Sequence, residues 1–342
     1  MAENGRIKSL GKGTFPPGDD ILKINARNNY VSPGFIDLHV HGRIDKLSAE
    51  LPKQGTTGFL WTLHTNPVSS LGRKIAAAKR TPLNGAACLG FNIEGPFINR
   101  EMAGAQPRRF IIEPSGKVLE QLLKNHAKDI RIMTVACELK GSGPLIKKLK
   151  KAGIVVSLGH SKATIEQAKK AVDLGADYAT HMFNRMGPVT SREPGLVTAV
   201  LLDERITAEV IADKHHVHPD LLRLLVKNKK PHNLVLITDS VAAMDKTSLK
   251  IIKGVYRMEN HTIAGSNLTM IEAVKNMVNC CGLDLSQVID MASFNPARVV
   301  GLKKKKGRLE KGYDADIIIF DEHFQVKAAV LSGKIKFNRI AS

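Results

Sequence analysis

The sequence predicts an α/β chain folded as a (β/α)8 TIM-type barrel, with a small β-sandwich domain formed from both chain ends. Three features lead there. Eight short β-branched or apolar runs recur along the chain, amphipathic stretches lie between several of them, and both ends have strand character. The runs cover residues 35–39, 57–62, 87–93, 130–135, 154–158, 178–181, 206–211 and 234–238. Residues 144–151 and 164–172 carry the amphipathic pattern of surface helices. Strand, helix, strand at this rhythm argues a parallel sheet. Eight such units fit a closed barrel better than an open sheet, although period and count alone leave a doubly wound sheet standing. The tail alternates turn and strand residues through 307–321, 325–331 and 333–337. Residues 1–33 and 300–342 are therefore expected to form the small β domain, and 34–299 the barrel.

Bulk composition narrows the function classes. The 342 residues are 43% hydrophobic and 24% charged, a globular balance. No apolar run is long enough to cross a bilayer, so no membrane partner is expected, and the N-terminus lacks the apolar core of a signal peptide. Cys88, Cys137, Cys280 and Cys281 lack paired metal-ligand spacing and read as reduced thiols of a cytoplasmic protein. A formal charge of +19 could suit an anionic partner. Its basic residues are scattered, and 5% aromatic content is too little for a base-stacking platform, so nucleic acid is not expected. The dense run Lys303 to Lys306 reads as a solvated turn.

His39 and His41 carry the first chemical signal. Alternate residues of a strand point to one side, so both imidazoles share a face. Histidines two apart often arise by chance, and the pair alone carries little. Glu94, His160, His181 and Asp239 change that, because each stands at the end of a strand-like run. The C-terminal ends of barrel strands surround one mouth, where such enzymes work. Under barrel topology the six residues converge. Their nitrogen and oxygen donors suit a divalent ion such as Zn²⁺ or Fe²⁺.

With these residues in view, the stretch from Pro33 through Gly42 resembles the opening signature of the amidohydrolase superfamily. The blocks around Asn92-Ile-Glu-Gly-Pro, Leu158-Gly-His-Ser, Thr180-His-Met-Phe-Asn and Arg192-Glu-Pro-Gly are similar to the N-acetylglucosamine-6-phosphate deacetylases within it. The similarity runs from about residue 31 to the end. It implies that Glu94, His160 and His181 hold the principal metal ion. The pair His39 and His41 is present, which implies room for a second ion sharing the carboxylate, so one or two per subunit. Asp239 matches the family's catalytic acid/base, and His216 a histidine that contacts the substrate. Arg192 matches an arginine that grips the sugar phosphate across a homodimer interface, and Asn184 lies in the loop that helps hold that phosphate. The partners implied are thus a small amino-sugar phosphate and a second copy of the chain.

The match also departs from its pattern. Gln106 stands twelve positions after Glu94, where the family places histidine. A carboxamide can still hydrogen-bond a sugar hydroxyl, so Gln106 is expected to touch substrate. Lys214 replaces a glycine, and the segments before Pro33 and between Gly42 and Gly55 are short. Ser266 reads as a cap for the helix that follows. An N-acetylgalactosamine-6-phosphate deacetylase, another amidohydrolase and a catalytically degenerate scaffold relative remain open alternatives.

Overall fold

A computed structural model describes residues 1–11, 23–244 and 249–340. Eight parallel strands form the predicted barrel: β1 (Phe35–Gly42), β2 (Thr56–His64), β3 (Ala87–Glu94), β4 (Ile130–Val135), β5 (Val155–Leu158), β6 (Tyr178–Ala179), β7 (Thr207–Ile211) and β8 (Leu234–Ile237). Each is hydrogen-bonded to the next in chain order. All eight residues of β1 except Gly42 are buried, as expected of a strand covered on both faces.

A helix follows each strand: α1 (Ile44–Glu50), α2 (Val68–Ala78), α3 (Gly116–His126), α4 (Ser142–Lys151), α5 (Ile165–Asp173), α6 (Gly195–Leu202), α7 (Pro219–Asn228) and α8 (Met270–Cys281). Helical spacing decides which face packs. In α4, Leu145, Ile146 and Leu149 are buried, while Lys148 and Lys151 face outward. Capping boxes start α5 and α8, at Thr164 with Gln167 and at Thr269 with Glu272. The short segment after Gly42 is filled by α1 and a single 3-10 turn (Leu51–Gln54), so it passes directly into β2.

The seam between first and last strands closes the ring. Thr238 Oγ1 donates to Asp37 Oδ2 at 2.6 Å, and the Thr238 amide donates to Oδ1 at 3.3 Å. The Asp239 amide donates to the His39 carbonyl at 2.8 Å. The next strand, β9 (Ser240–Ala243), then runs parallel to β1, with Ser240 opposite Val40. Strands β10 (Lys250–Ile252), β11 (Val255–Arg257) and β12 (Ile263–Ser266) extend this edge over the barrel mouth. Burial pushes the Asp37 carboxyl up to about 6, against the hydrogen bonds it accepts from Thr238 and His39.

Both chain ends contribute to one four-stranded antiparallel sheet. Tyr30–Pro33 pairs with β13 (Ile317–Phe320), followed by β14 (Val326–Leu331) and β15 (Lys334–Asn338). A two-stranded ladder, Ala2–Glu3 with Arg6–Ile7, docks beside it through Ile7 N to Tyr313 O.

Two readings of single residues change. Lys306 leaves the solvated run and turns inward, because Asp316 and Asp314 offer carboxylates at 2.6 and 3.0 Å. Ser266 does not cap α8, whose cap is Thr269. Its Oγ donates to the Thr238 carbonyl instead, tying β12 to the seam.

Thr238→Val keeps the side-chain shape and removes the strongest donor to the buried Asp37. It is expected to cost about 1–3 kcal/mol of stability, read as a lowered urea midpoint. An unchanged midpoint would mean that the seam does not depend on this bond.

Candidate metal centre

Six predicted residues meet at the C-terminal mouth of the barrel. Strand β1 aims His39 and His41 inward, β3 ends on Glu94, and His160, His181 and Asp239 follow β5, β6 and β8. The last three adopt left-handed backbone, with φ of 47°, 28° and 47°. That conformation is uncommon outside glycine and turns each side chain off its strand toward the axis.

Their polar atoms crowd together. His160 Nε2 lies 2.8 Å and His181 Nε2 3.1 Å from Glu94 Oε1, and the two imidazole nitrogens are 3.2 Å apart. On the other carboxylate oxygen, His39 and His41 Nε2 each lie 3.7 Å from Glu94 Oε2. Asp239 Oδ1 is 3.2 Å from His41 Nε2 and 3.6 Å from His39 Nε2. Two three-residue groups could therefore hold an ion: Glu94 with His160 and His181, and Glu94 with His39 and His41.

Hydrogen bonds behind the ring decide which nitrogens face inward. His160 Nδ1 lies 2.7 Å from the Met102 carbonyl, which fixes the tautomer that leaves Nε2 a lone pair. His39 Nδ1 lies 3.0 Å from Glu209 Oε2, and the same oxygen accepts the His181 amide at 2.9 Å. His39 Nε2 is buried with no hydrogen-bond partner among the described residues. An orphaned imidazole nitrogen facing a carboxylate, beside two more nitrogens and no thiolate, fits a divalent cation.

Electrostatics agree. Burial opposes ionisation of Glu94, but the imidazoles of His160, His181 and His39 around it outweigh burial and hold its carboxyl well below the usual range. Burial likewise opposes the charge on Asp239, and His39 and His41 outweigh it.

A cleft of about 920 Å³ opens above these groups, lined by Gln106, Asn184 and His216 among others. His216 Nδ1 is held 2.6 Å from Asp213 Oδ2, and Asp213 Oδ1 also accepts the His215 and His216 amides. Lys214 takes a φ of 66° in this turn, which explains why glycine suits the position. Gln106 Oε1 accepts the Thr65 amide at 2.8 Å, and among the described residues its amide nitrogen has no hydrogen-bond partner. Asn184 Nδ2 donates to the carbonyls of His181 and Met182, so this side chain braces its own loop. Arg192 is exposed on the loop before α6 and does not line the cleft.

The sequence reading passed over four residues here. Glu209 and Asp213 orient histidines. His64, at the end of β2, lines the cleft, and burial followed by the charges of His41 and Lys74 pushes its imidazole down to about 4. Arg185 lines the cleft beside Asn184. Strand-end position marks His64, a signal available from the run 57–62. Glu209 lies within β7 and has no such mark.

A model of the amidohydrolase family matches residues 30–336. An N-acetylglucosamine-6-phosphate deacetylase of Lysinibacillus sphaericus is 33% identical over 98% of this chain and 92% of its own length. An N-acetylgalactosamine-6-phosphate deacetylase of Escherichia coli O157:H7 is 33% identical over 89% of this chain and 86% of its own. Among solved structures, a mutant N-acetyl-D-glucosamine-6-phosphate deacetylase of Mycobacterium smegmatis, in complex with N-acetyl-D-glucosamine-6-phosphate, superposes with a TM-score of 0.87. Its identity is 30%, over 98% of this chain and 94% of that one.

Glu209→Gln replaces the anionic partner of His39 with a neutral carboxamide, whose oxygen can still accept the His181 amide and keep Glu94, His160 and His181 together. Chelator competition should show about 10-fold to 100-fold weaker binding of one ion with the other unaffected. Equal loss of both ions, or of neither, would remove Glu209 from this role.

Proposed function

The chain belongs to the amidohydrolase family, and from that premise we propose that it hydrolyses N-acetylglucosamine 6-phosphate to glucosamine 6-phosphate and acetate. The observation that carries this reading is the meeting of Glu94, His160 and His181 within ligand distance of one another, with Asp239 on the same mouth.

In this reading Glu94, His160 and His181 hold the principal ion, zinc or iron, and His39 and His41 with Glu94 hold a second. A bound divalent ion supplies Lewis acidity, lowering the pKa of a water and polarising the amide carbonyl. Asp239 accepts the water's proton at its carboxylate and delivers it to the departing amine. His216, held through Nδ1 by Asp213, presents Nε2 to the carbonyl oxygen or to a sugar hydroxyl. Gln106 offers its amide nitrogen to the sugar from the opposite wall.

The reading extends to assembly. In this reading Arg192, exposed outside its own cleft, serves the cleft of a partner in a homodimer. Four free cysteines suit a cytoplasmic setting, and no helix of the described residues is long and apolar enough to cross a membrane. Residues 1–33 and 300–342 make a β domain apart from the barrel of 34–299, supported by the four-stranded sheet that both ends share.

One second reading has a specific basis. The N-acetylgalactosamine-6-phosphate deacetylase shares the same 33% identity, over 89% of this chain against 98% for the N-acetylglucosamine enzyme, and Gln106 stands at a position expected to touch the sugar. Turnover of the two sugar phosphates, followed by acetate release, decides between them. No turnover of either, with no bound metal, would point to a scaffold relative.

Asp239→Asn should retain the metal content of the parent protein while turnover falls about 100-fold or more. Full activity in that variant would exclude Asp239 as the proton carrier.

A further inference from the structure

We propose that Arg185 binds the phosphate of the sugar within its own subunit, so that each cleft recognises the anion in cis. This inference rests on the sugar-phosphate reading above and assigns a residue to it.

The loop that starts at the metal-centre histidine leads directly to this position. The Asn184 amide donates to the His181 carbonyl at 2.9 Å, a tight turn that carries the chain from the cleft floor to its rim. Arg185 comes next and lines the cleft while remaining exposed. Its backbone is pinned on the far side, where its carbonyl accepts the Ser161 amide at 3.1 Å. A φ of 50° holds it in left-handed backbone, which an arginine seldom adopts. The turn is thus bound to the histidine at one end and to the residue after His160 at the other.

The guanidinium itself is uncommitted. Among the described residues it meets no carboxylate, carbonyl or aromatic ring. It lies over Gly104, where an ideal Cβ would approach Arg185 Nε to 2.6 Å, so the missing side chain makes room for it. Arg257, the other arginine of the cleft lining, donates to the His261 carbonyl.

The phosphate needs donors, and the Asn184 side chain in this loop supplies none. Asn184 directs Nδ2 to the His181 and Met182 carbonyls, which leaves only an acceptor oxygen. Arg192 lies outside the cleft of its own chain. Guanidinium geometry matches phosphate oxygens bidentately. In the substrate, the acetamido group and the phosphate sit at opposite sides of the sugar ring. A floor that handles the amide and a rim that handles the anion fit that separation.

The test uses metal-loaded protein and the variants Arg185→Gln, Arg185→Lys and Arg192→Ala. With N-acetylglucosamine 6-phosphate, Arg185→Gln should raise KM about 10-fold or more, with kcat changed much less. Its constants for unphosphorylated N-acetylglucosamine should match the parent, and Arg185→Lys should recover part of the loss. Calorimetry with glucosamine 6-phosphate should show the same weakening without turnover. Equal affinity of parent and Arg185→Gln for that product overturns the inference, as does an equal loss on both sugars. A parent that binds glucosamine 6-phosphate through Arg185 yet deacetylates neither sugar phosphate would leave this assignment standing and defeat the reading of the reaction.

Discussion

One buried carboxylate organises the molecule. Glu94 sits among four imidazoles, with His160 and His181 on one oxygen and His39 and His41 on the other. A carboxylate buried this deeply persists as an anion only where donors or cations surround it. The barrel provides them from β1, β5 and β6, and a closed ring is the arrangement that lets strands so distant in sequence face one point. The strained backbone at His160, His181 and Asp239 follows from the same demand. Each strand must stop and turn its last side chain inward.

Around that centre, the support is built in layers of decreasing sequence visibility. Glu209 reaches His39 and the amide before Met182, so it braces both ion-holding groups from behind. Asp213 does the same for His216, and the Met102 carbonyl for His160. These contacts select tautomers and orientations, which is how a protein tunes ligands that already have the right chemistry.

The fold was legible because its strands are apolar runs, and all eight lie where those runs stand. The centre was legible because its residues sit at strand ends, where a topological rule assigns them to one mouth. What escaped lacks a local mark. Glu209 is one residue of Thr207–Ile211, and only the structure shows that its side chain points at His39. Lys306 looked like part of a cationic surface run because the aspartates that draw it inward lie eight and ten positions later. Arg185 followed a motif whose asparagine attracted attention, and its freedom from partners is a fact of three-dimensional surroundings. Arg192 illustrates the converse: the motif marks it, yet it lies outside the cleft of its own chain.

The seam has an implication for the order in which the protein can come into being. Asp239 is suspended between the His39 carbonyl on the first strand and the Ser266 amide on a strand beyond the eighth. A nascent chain can therefore form most of its helices and neighbouring strand pairs while Asp239 still hangs loose. Only when synthesis has passed Ser266 can the two ends of the ring meet, and contacts this remote in sequence form late. Closure of the ring and the final placement of Asp239 are thus one event.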